Sequence, residues 1–325
     1  MEYRLKYLPI IGAAAGVLSS CFSNRNRICA VDHLTISTVD PNDWDLIFVL
    51  CAETTFKIRP ELSRLGNKLA LIHTSNEPGL ENYTRFFFPH WLFCVAEVNT
   101  PHVLTHEYNN LPNKVYNALL GRAKDSRTLL LEKFSNRNLI NDGIISYHPG
   151  SHYGPKLKLD PTPYYNNIWE YEENEIKSIY KSDLNYLVTL DSTTRLSNGH
   201  FSSCSIPWQV YSDSMISIVA ETDNLGSHSF LTEKTWKPFL AKHPALFYAT
   251  AEHETFLESL GFEMYVKING SPDKIATVVN DIAYGGWKDY TYSNWNSIAD
   301  HNYRLANAEL WRDRLYRWLM ENFVN

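Results

Sequence analysis

The stretch densest in usable chemistry is Phe230-Leu231-Thr232-Glu233-Lys234-Thr235-Trp236-Lys237-Pro238. Thr232 is placed to cap a helix over 233–242, whose first backbone N–H groups and partial positive charge suit an anion, above all a phosphate. Lys234 adds a full positive charge, and Glu233 offers an acceptor suited to ribose or sugar hydroxyls. Pro238 lacks an N–H, so the carbonyl of Lys234 loses its helical partner. The plain alternative is an ordinary capped helix with a surface Glu–Lys pair.

Two further clusters accompany it. Asp125-Ser126-Arg127 opens a helix expected over 126–137, with Asp125 as its N-cap. There the guanidinium of Arg127 can grip a pyrophosphate bidentately, with Arg122 and Lys124 just before it. Read plainly, it is a solvated basic turn. His73-Thr74-Ser75-Asn76-Glu77-Pro78-Gly79 ends an expected strand, 68–73. A carboxylate held in that Pro-Gly turn can act as a general base on a hydroxyl, or it can simply face water.

Other candidates fail on context. Asp43-Trp44-Asp45 has the spacing that metal-dependent sugar transferases use on Mg or Mn, but it precedes its strand, on the wrong edge of a sheet. In His148-Pro-Gly-Ser-His152 the proline and glycine prevent the helix that would align both rings. His253-Glu-Thr-Phe lacks the second histidine of a zinc protease. The chain has no G-x-S-x-G, no Walker loop and no G-x-G-x-x-G, so hydrolase, P-loop and dinucleotide readings lose their main support.

The elements that must position these clusters are legible as short apolar runs alternating with helical stretches. Strands are expected at 28–37, 44–50, 68–73, 115–120, 215–221 and 245–249. Helices are expected at 60–65, 126–137, 233–242, 253–260 and 272–283. The end reads as one long helix over 296–322, with an apolar stripe through Ile298, Leu305, Trp311, Leu315 and Leu319. Continuous rather than alternating apolar strands indicate parallel sheets covered on both faces. In such sheets ligands bind beyond the carboxyl ends of the strands. The polar stretch 101–113 reads as a linker, and the irregular 146–185 as an insertion.

The composition sets bounds on these readings. The 325 residues suit two domains or one large one. An apolar content of 44% fills real cores and excludes wholesale disorder. With 30 Lys+Arg against 36 Asp+Glu, the net charge of −6 argues against non-specific coating of nucleic acid, though a local basic groove would suffice for it. Five scattered cysteines without a C-x-x-C fit buried free thiols. Residues 7–21, which follow Arg4 and Lys6 and end in Leu18-Ser-Ser-Cys21, look like a lipoprotein signal. The folded alternative, which we carry, is a buried strand over 4–11 turning at Gly12 into a helix over 13–22. The run is too short to span a bilayer as a helix.

In this order the three clusters resemble the α-1,3-fucosyltransferase family of glycosyltransferases, especially its short soluble bacterial and viral members. That family's donor motif is a strand ending in an F-E-N-like triplet followed by Y-(I/V)-T-E-K. Here the triplet reads Ala220-Glu221-Thr222 and the tyrosine position is Phe230. Asn76-Glu77-Pro78 is similar to the family's acidic turn, and Arg127 to its donor-phosphate arginine. The loss of the triplet's Asn and of the Tyr hydroxyl removes two potential hydrogen bonds, which can retune the sugar or nucleotide.

The resemblance implies an α/β fold of two Rossmann-like, doubly wound domains facing a cleft, closed by the long C-terminal helix. An acceptor side would span 1–108, and a donor side 109–325 with the insertion. It implies an inverting, metal-independent transfer of a fucose-like sugar from a nucleotide-diphosphate donor, with no cofactor. Glu77 would be the base. Arg122, Arg127, Glu221, Phe230, Thr232, Glu233 and Lys234 would bind the donor. The acceptor would be a glycan or, in a viral setting, a modified DNA base. No membrane span is expected, and the location would be cytoplasmic, or the host cytoplasm for a viral chain. A non-catalytic nucleotide-sugar or glycan-binding protein is the alternative.

Overall fold

A computed structural model of the chain describes residues 1–5, 8–22, 24–52, 58–105, 112–122, 124–148, 204, 206–221, 229–285 and 288–324. Most of the expected insertion, the loop 222–228 and part of the expected linker lie outside them. The fold is α/β, with mostly parallel sheets.

Strands β1 (Glu2–Arg4), β2 (Ile28–Asp32), β3 (Leu46–Cys51) and β4 (Leu69–His73) are followed by the two-residue β5 (Ser75–Asn76) and then β6 (Thr84–Phe87). All but β5 form a parallel sheet in the order β1-β2-β3-β4-β6. Its strands read as unbroken apolar runs because both faces are covered. Ile28, Ala30, Phe48, Leu50, Ala70 and Ile72 join the core of α1 (Leu8–Phe22) and α3 (His90–Thr105). The alternate residues Cys29, Val31, Ile47, Val49, Leu69 and Leu71 join Leu62 and Leu65 of α2 (Arg59–Leu65).

The second parallel sheet is β7 (Lys114–Arg122), β8 (Gly143–His148), β9 (Ser214–Ala220) and β11 (Ala245–Tyr248), in the order β11-β9-β7-β8. On one face its residues meet α4 (Asp125–Ser135) and α8 (Pro272–Tyr284). On the other, Val219, Ala245 and Phe247 meet Trp236 and Phe239 of α6 (Glu233–Leu240), in a core continuous with that of the first sheet. Between these elements lie α5 (Trp208–Ser212), β10 (Ser229–Phe230) and α7 (Ala251–Ser259). The chain closes with α9 (Lys288–Leu305) and α10 (Ala308–Leu319), and α10 packs on α1.

Several expectations are corrected. Residues 4–11 are not one strand: pairing ends at Arg4, and the helix begins at Leu8. Pro9 falls in its first turn, where a missing N–H costs nothing. Burial of Ile10, Ile11, Ala14, Leu18 and Phe22 then carries the helix through Gly12 and Gly16. Asp125 lies within the first turn of α4, and Lys124 is the cap residue. The single C-terminal helix is two, because the Asn307 side chain accepts from the Glu309 amide at 2.9 Å and starts a new helix. The start of the expected linker, 101–105, is the end of α3, and residues 146–148 complete β8. Among the described residues no helix is long and apolar enough to cross a membrane.

Candidate functional site

Two distant stretches of sequence meet in a two-stranded antiparallel ribbon. Ser75 of β5 pairs with Phe230 of β10, and Asn76 with Ser229. Just beyond, the Leu231 amide donates to the Thr74 carbonyl at 3.4 Å, and the Thr74 hydroxyl donates to the Leu231 carbonyl at 3.3 Å. The ribbon ties the end of β4 to the approach to α6, with Thr74 opposite Leu231, while Glu77 follows β5 at the other end of the ribbon. Phe230, expected in a donor pocket, is one of its strand residues and is buried.

The second sheet supplies the third cluster. From β7 the chain goes to β8 on one side and later to β9 on the other, and from β9 it goes on to β11. The strand order therefore reverses between β7 and β9, where crevices form beyond the carboxyl ends of parallel strands. Arg127 follows β7 in the first turn of α4, is buried, and donates from Nη2 to the carbonyl of Ala220, the last residue of β9, at 3.3 Å. Arg122 ends β7, and its side chain lies outside the described residues.

At the head of α6, Thr232 is the N-cap and accepts from the Lys234 amide at 3.3 Å, as its position in the sequence implies. Glu221 follows β9, with its amide on the Tyr248 carbonyl at 3.1 Å. Its carboxylate is 1% exposed and is engaged by the protein itself. Oε2 accepts from the Thr232 hydroxyl at 2.6 Å, and Oε1 accepts from the Thr235 hydroxyl and from the Thr232 amide. The structure thus places Glu221 against the end of the helix.

Glu233 pairs with the Lys234 ammonium at 2.5 Å. Burial raises its pKa, but the charges of Lys234 and Lys237 outweigh burial, so Glu233 sits below the ordinary value. Lys237, one turn further along the same face, is itself buried. Desolvation pulls its ammonium down to about 8, chiefly against the attraction of Glu233. Cys204 shares a hydrogen bond with Cys94 of α3, and this together with burial holds its pKa well above the usual thiol value.

The lowered pKa of Lys237 has a measurable consequence. Below pH 8 the residue is charged folded or unfolded, and folding carries the whole desolvation cost. Between pH 8 and its ordinary 10.5 the folded chain has released a proton that the unfolded chain keeps, so stability rises with pH. Lys237→Met is therefore expected to stabilise the fold by about 1–3 kcal/mol at pH 7. That advantage should disappear by about pH 10.5 when melting temperatures of the two chains are compared across pH.

Glu77 is 2% exposed. Its Oε1 accepts from the Ser75 hydroxyl at 2.8 Å, and Arg59 Nη2 stands 3.8 Å from Oε2 while donating to the Pro78 carbonyl at 2.5 Å. His73, at the end of β4, has its Nδ1 2.7 Å from the Ser75 carbonyl. Burial, then the Arg85 charge, pushes this imidazole down to about 4 despite that bond, so it is neutral at pH 7.

The sequence alone assigns no role to Ser75, Arg59, Thr235 or Lys237, although all but Arg59 lie within the clusters it singles out. Lys237 carried a signal in its i, i+4 spacing from Glu233; the partners of the others are set only by the fold. Among the described residues no group of three or more His, Cys, Asp or Glu side chains could hold a metal ion. Asp45 instead pairs with Arg27 at 3.0 Å, and residues 149–152 of the two-histidine stretch lie outside the described residues. No protein-family model matches the chain, and neither curated proteins nor solved structures show a significant similarity to it.

Proposed function

We propose that this chain is a glycosyltransferase, moving a fucose-like or related sugar from a nucleoside-diphosphate donor to an acceptor hydroxyl on a glycan or a modified DNA base. The observation that carries the reading is the β5–β10 ribbon. It joins the segment after β4, which runs on into Glu77, to the segment that leads into the cation-bearing head of α6, whose cap Thr232 in turn bonds Glu221 at the end of β9. The two parallel sheets would then serve as Rossmann-like halves, one presenting acceptor and the other donor.

The reaction is a single in-line displacement with inversion. Glu77 takes the proton of the acceptor hydroxyl, the oxygen attacks the anomeric carbon, and the bond to the diphosphate breaks. Lys234 and Arg127 stabilise the charge growing on the leaving diphosphate. This leaves no step that needs a metal ion. Glu233, held ionised by its two lysines, is suited to accept from a ribose or sugar hydroxyl.

The deep burial of Glu77 favours a second reading, a nucleotide-sugar binder without transfer, because an acceptor must reach that carboxylate to use it. One experiment tests both. Melting curves are recorded with GDP-fucose, GDP-mannose, UDP-glucose and UDP-galactose, followed by assays of donor hydrolysis and transfer. A true donor at a hundredfold excess over its Kd stabilises the chain by about 2.7 kcal/mol. A shift with turnover supports the transferase, a shift without turnover supports the binder, and no shift with any donor overturns both.

A further inference from the structure

We propose that Glu221 is a positioning residue that fixes the aim of Lys234 through the Thr232 hydroxyl, not a ligand of the donor. This rests on the donor-site reading above. Three protein donors converge on its buried carboxylate: the Thr232 hydroxyl, the Thr235 hydroxyl and the Thr232 amide. An ionised carboxylate only accepts, with about four lone-pair sites, so little capacity remains for a sugar or ribose hydroxyl.

The Thr232 hydroxyl has one proton, and at 2.6 Å that proton points to Glu221. Its lone pairs are thereby turned toward the Lys234 amide, 3.3 Å away. A relay results, from carboxylate to hydroxyl to the backbone of the residue that carries the cation. The negative charge also lies at the positive end of the helix dipole, which holds the first turn in place. Immediately before Glu221, the Ala220 carbonyl receives Arg127. The last residue of β9 and the one after it thus anchor both cations of the site, and their spacing is set from one point.

The test uses the full chain, with the donor that shifts its melting temperature. Glu221→Gln keeps the side-chain shape but replaces one acceptor oxygen by a donor. It is expected to lower kcat about 10- to 100-fold, with the KM for donor within about twofold of wild type. Thr232→Val should reproduce that loss, because it keeps the volume and deletes the hydroxyl, and the double variant should lose no more than either alone. Thr232→Ser, which keeps the hydroxyl, should retain most of the rate.

A raised donor KM with unchanged kcat would make Glu221 a ligand and overturn the proposal. Additive losses in the double variant would break the relay and overturn it too. If wild type gives neither a melting shift nor transfer, the donor-site reading itself has failed. That failure is visible before any variant is compared.

Discussion

Glu77→Gln is expected to lower sugar transfer by about 10²- to 10⁴-fold, the usual worth of a positioned general base, while leaving the donor-induced melting shift intact. Glutamine has nearly the same shape, and its carbonyl oxygen can still accept from the Ser75 hydroxyl that now bonds Oε1 at 2.8 Å. The Arg59 guanidinium is 3.8 Å away and its side chain is partly exposed, so water can take up its charge when the pair is lost. What the substitution removes is a proton acceptor. Single-turnover transfer, measured beside the melting shift on the same preparation, separates chemistry from binding. A variant that transfers within a few-fold of wild type would show that another group takes the proton.

The strands flanking this site were legible because parallel sheets covered on both faces leave long apolar signatures. Leu46–Cys51 and Leu69–His73 differ from the expected strands by a residue or two. The first helix differs from its expected bounds because an all-apolar run such as Leu8–Leu18 has no polar face, so periods of 2 and 3.6 cannot be told apart in it. The break between α9 and α10 was hidden because the apolar stripe continues across it, with Ala306 and Trp311 buried on either side. Asn307, the only local sign of the break, looks in sequence like any polar residue on a solvated face.

The site divides along the same physical line. The types and order of its charged residues are visible in the sequence, because residue type is what a sequence states directly. The β5–β10 ribbon was not, because Ser75-Asn76 and Ser229-Phe230 are too short to carry any periodic signal. Nor could the sequence tell that Thr232 and Thr235, three residues apart, both turn back to the carboxylate that follows β9. The continuous core running from α1 and α3 to Trp236 and Phe247 is equally a product of tertiary packing. Spacing along the chain does not encode it.

Lys234→Met should lower kcat by about 10²- to 10³-fold, the range for removing one fixed donor to transition-state charge, with little change in melting temperature. Lys234 is suited to that role by its exposure: its side chain is 23% accessible, whereas Lys237 is 6% exposed as a residue and its ammonium is poorly placed to follow a ligand. Deleting Lys234 removes one neighbour of Glu233 but leaves Lys237 on the same face, so the carboxylate keeps a cation to hold it ionised. Glu233→Gln is the contrasting variant. It strips Lys237 of the charge that supports its ammonium, and stability should fall by about 1–3 kcal/mol, less than for an ordinary broken buried pair. The loss is limited because Lys237, already at about 8, can release its proton on folding. Adding Lys237→Met to Glu233→Gln should restore the melting temperature without restoring any rate that Glu233 contributes. Lys234→Met leaving kcat unchanged, or losing rate only in proportion to its melting temperature, would remove Lys234 from the chemistry and leave it a surface partner of Glu233.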